Sequence, residues 1–146
     1  MKFDVTIPFT AHLGFDLIHL DAGESTIEFS PRPEHLNSFG VTHGGAIMTL
    51  LDVSMAQAAR SVAPEMGLAT IEMKTSFMKP VPGDGSILTG RGHLIQRTKS
   101  MAFVEAKLHD SQGNLCAQAS GTFKYVKRSE SNPAQAGLPA SQLLTD

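Results

Sequence analysis

The chain has 146 residues, of which 41% are apolar and 18% charged, the size and balance of one ordinary globular domain around a single core. A formal charge of -2 lacks the basic excess with which proteins hold nucleic acids or anionic membranes, so neither partner is expected. Cys116 is the only cysteine, which excludes an intramolecular disulfide and suits a reducing compartment.

The opening "MKFDVTIPFT" lacks the long apolar segment of a secretory signal, and no run reaches transmembrane length, so a cytoplasmic location is expected. "IPFTAHLGF" predicts a short helix or turn entered at Pro8. "DLIHLDAGESTIEF" predicts a strand pair about a turn at Ala22-Gly23, because Ile27 and Phe29 alternate with polar neighbours. "SPRPEHLNSFGVTHGG" is too rich in proline, glycine and asparagine for regular structure and predicts a loop.

A helix is predicted over about residues 44–62. Ile47, Leu50, Leu51, Ser54, Met55, Ala58 and Val62 recur at helical spacing, and Ala46, Met48, Val53, Ala56 and Ala59 make the other faces apolar too. Such a helix is expected to be buried on most sides.

The period then changes to two. "LATIEMKTSFMKPV", "GSILTGRGHLIQRT", "SMAFVEAKLHD" and "NLCAQASGTFKYVKR" predict four strands. In the third, Ala102, Val104, Ala106 and Leu108 share one face; in the fourth, Leu115, Ala117, Ala119, Gly121, Phe123 and Tyr125 do. One apolar and one wetter face fit an antiparallel sheet covered on one side. The aperiodic stretch 129–146 is expected to be a flexible tail after a domain of residues 1–128. The whole predicts an α+β layout, an antiparallel sheet curled around a central helix. One sheet on one helix leaves apolar surface open, so a partner subunit, most simply a two-fold dimer, is expected.

From Gly44 to Ala59 the only charged side chain is Asp52. A carboxylate in an apolar helix is costly unless it is paired, hydrogen-bonded or facing water. It could be a solvent-strip or structural acceptor, a general base or nucleophile in a cleft, or a metal ligand. The last needs companions, and His43 and His35 stand nine or more positions away with no acidic helper, so no metal is expected. Gly44 and Gly45 stand where loop becomes helix. Backbone N–H groups there lack helical partners and carry the positive end of the helix dipole, a site for a developing negative oxygen. A glycine pair is also an ordinary turn; His43 could orient the loop rather than react, and Asn37 could cap or turn it as readily as bind water. Asp52 lies eight residues beyond Gly44, about 12 Å along the helix axis. If the two act together, Asp52 must come from a second copy of the chain.

The pattern Asn37-x-x-Gly40-x-x-His43-Gly44-Gly45, with an acid nine places after the histidine, resembles the hotdog-fold acyl-CoA thioesterases, particularly the phenylacetate-degradation (PaaI-like) branch. The resemblance covers about residues 8–127 and includes the element order and the strand "ATIEMKTSFMKPV". It implies that the Gly44 N–H polarises a thioester carbonyl and that Asp52, from the neighbouring subunit, is base or nucleophile. Asn37 and His43 would hold the water or thioester, and Thr70 matches an assisting hydroxyl. It further implies an acyl-CoA substrate with no separate cofactor, and a homodimer or a homotetramer built as a dimer of dimers. Gly45, Phe39 and Met48 are expected near the substrate, with Leu36, Ile47, Leu51 and Met55 as further pocket candidates for an aromatic or medium-chain acyl group. Arg97, Lys99 and Ser100, in a tight turn, are candidates for the coenzyme A phosphates; where related proteins place Gly-Arg or a similar pair, this chain has "RTKS". Glu72 and Lys74 read as rim residues, and Lys124, Lys127 and Arg128 as solvent-exposed. The runner-up is a hotdog domain that binds acyl-CoA without cleaving it, though binding alone needs no acid in the helix. A dehydratase on this fold would carry motifs such as "HFP", which this chain lacks.

Overall fold

The computed structural model describes residues 1–128; the predicted tail, 129–146, lies outside the described residues. Helix α1 (Pro8–Leu13) begins on a proline, whose fixed φ suits a first helical position, and stops at Gly14 in the left-handed conformation. Strands β1 (Asp16–Asp21) and β2 (Glu24–Phe29) follow. They are joined through Ala22 and Gly23, both at positive φ, which matches the twist of a tight hairpin. The loop after β2 contains one 3-10 turn (Pro33–His35), and then come α2 (Gly44–Arg60), β3 (Met66–Phe77), β4 (Leu88–Arg97), β5 (Met101–His109) and β6 (Leu115–Lys127).

The strands form one antiparallel sheet in the order β1-β2-β4-β5-β6-β3. With α2 packed on its inner face, this is the predicted α+β hotdog architecture. Ile47, Leu50, Leu51, Ser54, Met55 and Ala58 are buried against the sheet. Within one chain the burial expected on most sides is incomplete: Ala46, Val53 and Ala56 are partly open and Met48 is exposed. The helix also ends at Arg60, not Val62, because the Arg60 guanidinium turns back onto the carbonyls of Pro64 and Met66 and Val62 stays exposed.

Glycines in β4 set how closely α2 approaches. A Cβ on Gly92 would stand 2.1 Å from the Ser54 carbonyl oxygen, and one on Gly90 2.7 Å from the Ser54 hydroxyl. The Ser54 hydroxyl donates to the Leu50 carbonyl at 2.7 Å, and the Ser25 hydroxyl donates to the Ser54 carbonyl at 2.6 Å. These hydroxyls are buried and paired, as burial demands.

The alternation predicted for the last strand holds from Ala117 to Tyr125 and fails at its start. The β5–β6 register shifts at Leu108/His109, skipping Cys116. This bulge buries Cys116 beside Ala117 and turns Leu115 outward.

The sheet's two edges differ. β1 is six residues long, whereas β3 has twelve and among the described residues pairs only with β6. Ile71 and Phe77 on β3 are 54% and 52% exposed. A long edge with exposed apolar side chains is a template for another strand. Among the described residues no helix is long and apolar enough to cross a membrane.

Candidate active site

The start of α2 is shaped by its own cap. His43 is extended, and its Nδ1 accepts the Gly45 N–H at 2.8 Å. A ring nitrogen that accepts carries no proton, so the neutral imidazole bears its proton on Nε2, where it can serve another partner. The Gly44 N–H makes no hydrogen bond among the described residues, and it points from the positive end of the helix. The Phe77 ring packs beside Gly44, 3.5 Å from where a Cβ would be.

The preceding loop is tied down by Asn37, whose Oδ1 accepts the N–H groups of Phe39 at 2.9 Å and Val41 at 3.3 Å. The Thr42 hydroxyl donates to the Pro82 carbonyl at 2.7 Å, and the His43 N–H to the His35 carbonyl at 2.8 Å. A cleft of about 350 Å³ opens between these parts, lined by Asn37, Thr42, Gly44, Ile47, Phe77 and Val81.

Asp52 lies two turns farther along α2, at its seam with β3. The Thr70 hydroxyl donates to Asp52 Oδ1 at 2.8 Å. The carboxyl is half-buried, and burial raises its pKa above the ordinary 3.8, against the opposing pull of the Thr70 hydrogen bond. One oxygen is thus positioned, while Oδ2 accepts no hydrogen bond among the described residues. An anchored carboxylate with raised proton affinity and a spare oxygen has the attributes of a general base.

The predicted site residues therefore fall into separate groups. Asn37, His43 and Gly44 meet at the head of α2, with the Gly45 N–H already used by the cap. Asp52 and Thr70 meet at the α2–β3 seam, with exposed Met48 one turn before Asp52. Phe39 is 87% exposed at the loop tip, while Leu51 and Met55 are sealed in the core and line no cleft. Arg97, Lys99 and Ser100 lie elsewhere. The Arg97 guanidinium stacks over Tyr125 at 4.4 Å from the ring centroid, and the Tyr125 N–H donates to the Ser100 carbonyl at 2.8 Å. The Tyr125 hydroxyl donates to the Ala59 carbonyl at 2.7 Å, which fixes that turn at the end of α2 opposite Gly44. Within one chain the three are not brought to the Gly44 cleft. Glu72 accepts from the Thr122 hydroxyl at 2.7 Å, and Lys74 is exposed.

Two buried polar residues of α2 escape the sequence reading, Gln57 and Arg60. The signal that flags Asp52, a polar side chain inside an apolar helical run, also marks them. The Phe77 ring beside Gly44 has no such signal, because it depends on how β3 crosses the helix.

Residues 39–117 match the family model of the thioesterase superfamily. The chain belongs to the thioesterase superfamily. The match takes in Gly44, Asp52 and Thr70 and leaves Asn37 just outside. A Saccharolobus solfataricus protein provisionally named an esterase is 29% identical over 118 residues, covering 81% of this chain and 82% of that one. A conserved Pseudomonas aeruginosa protein has a similar structure, with TM-score 0.78, 25% identity, and coverage of 84% of this chain and 96% of that one. The PaaI protein of the Escherichia coli phenylacetic acid degradation operon has TM-score 0.77 over 83% of this chain and 86% of its own. At 21% identity, it speaks for the fold alone.

Proposed function

We propose that this superfamily member is an acyl-CoA thioesterase that hydrolyses an aromatic or medium-chain acyl-CoA to the free acid and coenzyme A. The observation that carries the proposal is Asp52: a half-buried carboxylate on an apolar helix, anchored by Thr70 through one oxygen, with the other unused among the described residues. Its free oxygen takes a proton from water as the water oxygen attacks the thioester carbonyl. The carbonyl oxygen becomes an oxyanion, and the Gly44 N–H, at the positive end of α2, receives it. Collapse of the intermediate breaks the C–S bond and releases coenzyme A as thiolate, which takes back the proton held on Asp52 and restores the carboxylate. His43 Nε2–H and the Asn37 amide nitrogen orient the thioester or the water. Coenzyme A enters as part of the substrate, and the chemistry needs no separate cofactor or metal.

The span of about 12 Å between Gly44 and Asp52 on one helix supports a reading in which the two halves come from different subunits. Pairing of two β3 edges about a two-fold axis would extend the sheet and set two α2 helices side by side and antiparallel. Asp52 of one protomer would then face Gly44 of its partner. The exposed Ile71 and Phe77 of β3 and the open face of α2 supply the apolar surface for a dimer or a dimer of dimers. Arg97, Lys99 and Ser100 would reach the coenzyme A phosphates in that assembly, from a subunit other than the one supplying Gly44. A cytoplasmic setting fits an acyl-CoA substrate and a reduced Cys116.

The test is thiol release from phenylacetyl-CoA, benzoyl-CoA and octanoyl-CoA by the purified protein, with Asp52→Asn alongside. Hydrolysis by the wild type that is lost in the variant is the expected result. Tight binding of these thioesters with no turnover would instead make the protein a sensor or carrier. Single turnover in heavy-oxygen water separates the base from a direct nucleophile. Label found in the Asp52 carboxylate would mean direct attack; label confined to the released acid is expected.

A further inference from the structure

The loop that carries Asn37 and His43 stands on a buried histidine for which the reaction above has no use. Its two legs pair like a short hairpin. The His43 N–H donates to the His35 carbonyl at 2.8 Å, Leu36 bridges Thr42, and the Asn37 N–H donates to the Val41 carbonyl at 2.8 Å. Gly40, at positive φ, turns the chain near the tip. His35 is thus the foot of one leg, and His43, the cap of α2, is the foot of the other.

The His35 side chain is seated in the core. The residue is 6% exposed, its ring centroid lies 5.2 Å from that of Phe29, and its Nδ1 accepts the Arg32 N–H at 2.9 Å. A nitrogen that accepts carries no proton, so the seated ring is the neutral Nε2–H tautomer. That Nε2 is buried with no partner among the described residues. A second proton would go to Nδ1, where it would meet the Arg32 N–H and break that hydrogen bond. The imidazolium would then hold two buried donors and no acceptor. The groups facing the ring do not compensate. Arg32 brings like charge from the same turn, His12 at the end of α1 acts in the same direction, and only Glu34, already paired with Arg32, opposes them. β2 presents the uncharged Phe29, and α2 reaches the residue through the His43 backbone. Burial first, and Arg32 next, hold the His35 pKa below the ordinary 6.5.

We infer that His35 is a positioning residue with an acid limit of its own: the neutral ring holds the 35–43 loop in place, and its protonation releases the loop and with it Asn37, His43 and the Gly44 N–H. The catalytic consequence rests on the acyl-CoA reading of the Gly44 cleft; the loop movement does not. The sign follows from linkage. A released ring meets water and takes its proton at the ordinary 6.5, and the seated ring takes it lower. The seated form is therefore at full strength above pH 6.5. Below that it loses ground by up to about tenfold per pH unit, until the seated ring titrates as well.

The test separates His35 from Asp52, the other group expected to titrate on the acid side. In the Asp52→Asn chain, NMR follows hydrogen exchange of the His43 and Asn37 amides from about pH 8 to about pH 5, with the labelled His35 ring reporting its own titration. Protection of both amides, corrected for intrinsic exchange, should fall by up to about tenfold per pH unit once the pH is below 6.5. Adding His35→Asn should make it flat, because asparagine keeps an acceptor for the Arg32 N–H and takes no proton. With Asp52 intact, His35→Asn should keep most of kcat/KM at neutral pH and make the acid limb shallower. His35→Leu leaves the Arg32 N–H without an acceptor, so kcat should drop by about tenfold with KM little changed. Should His35→Leu fail to fold, the asparagine variants decide the matter. Protection that ignores pH would overturn the inference, as would a pH dependence or an acid limb that His35→Asn leaves unchanged. Activity lost equally in His35→Asn and His35→Leu would make the ring a packing element and overturn it too. The two failures are distinguishable. Asp52-dependent hydrolysis with flat protection sinks only the role of His35. Protection that responds to pH through His35, in a chain that cleaves no thioester, sinks the thioesterase and keeps the loop device.

Discussion

The two sides of α2 treat their polar groups in opposite ways. On the sheet side, the hydroxyls of Ser54 and Ser25 are buried and paired, and glycines in β4 bring the sheet against the helix. On the β3 side, among the described residues, Asp52 keeps one oxygen unused, and at the helix head the Gly44 N–H is unused as well. Satisfied polar groups fix where a helix sits; unsatisfied ones are open to a ligand. The sheet side should therefore be sensitive in stability and indifferent in chemistry, and the β3 side the reverse.

The largest expected effect is on the sheet side. Gly92→Ala would place a methyl 2.1 Å from the Ser54 carbonyl oxygen and 2.7 Å from its carbon, backbone atoms that cannot rotate away. Thermal and urea melts should show a loss of about 3 kcal/mol or more, the upper range for overpacking. A loss under about 0.5 kcal/mol would mean that α2 does not lie this close to β4.

Asp52→Asn should do the opposite. Turnover should fall by about two orders of magnitude or more, the scale of a lost general base, while the melting temperature holds or rises. The sign follows from the raised pKa of Asp52. Its ionised form is disfavoured by folding, and that penalty is complete above the folded pKa. It is relieved as pH falls through that value toward the unfolded 3.8. The gain from the variant should therefore shrink in acid. A variant that loses activity and stability together would make Asp52 a structural residue.

Thr70→Val sharpens the same contrast at smaller scale. The hydroxyl lowers the Asp52 pKa against the effect of burial, so its loss should move the acid limb of the kcat/KM profile to higher pH. Loss of a charge-assisted hydrogen bond should also reduce the rate at neutral pH by about tenfold. An unmoved acid limb would detach Thr70 from the group that sets that limb.

How much of this was legible in the sequence follows the same division. Periodicity carried the sheet side: Ile47, Leu50, Leu51, Ser54, Met55 and Ala58 were readable as one face, and in the last strand the alternation broke at Leu115, where a bulge at Cys116 shifts the phase. Asp52 was legible as a lone charge, and its nearness to Thr70 came only with the resemblance to a family. Pairing across 18 positions is a matter of register, and the bulge in β3 between Thr70 and Glu72 defeats simple counting. The Arg97 turn was legible as a turn but not as one at the opposite end of α2, since strand order is not written in any single strand. Gln57 was readable in principle, yet a glutamine in a helix looks like a surface residue until its burial is known.

The smallest effect tests whether the end of α2 belongs with the paired polar groups or the spare ones. The Arg60 side chain is 6% exposed and its partner Asp4 is 55% exposed, so the pair is half screened by water. The Arg60 guanidinium holds the Asp4 carboxyl below the ordinary 3.8. An acid with a depressed folded pKa gives its full stabilisation above the unfolded value and loses it as pH falls through the folded one. Asp4→Asn should thus cost about 1 kcal/mol at neutral pH, or about 2–4 °C in Tm, and the variant and wild type should converge below pH 3.8. Hydrolysis of a short acyl-CoA should be unaffected, because Arg60 keeps the carbonyls of Pro64 and Met66. Equal stability at neutral pH would show that those carbonyls alone satisfy Arg60 and that the N-terminal arm is held over α2 by its apolar contacts.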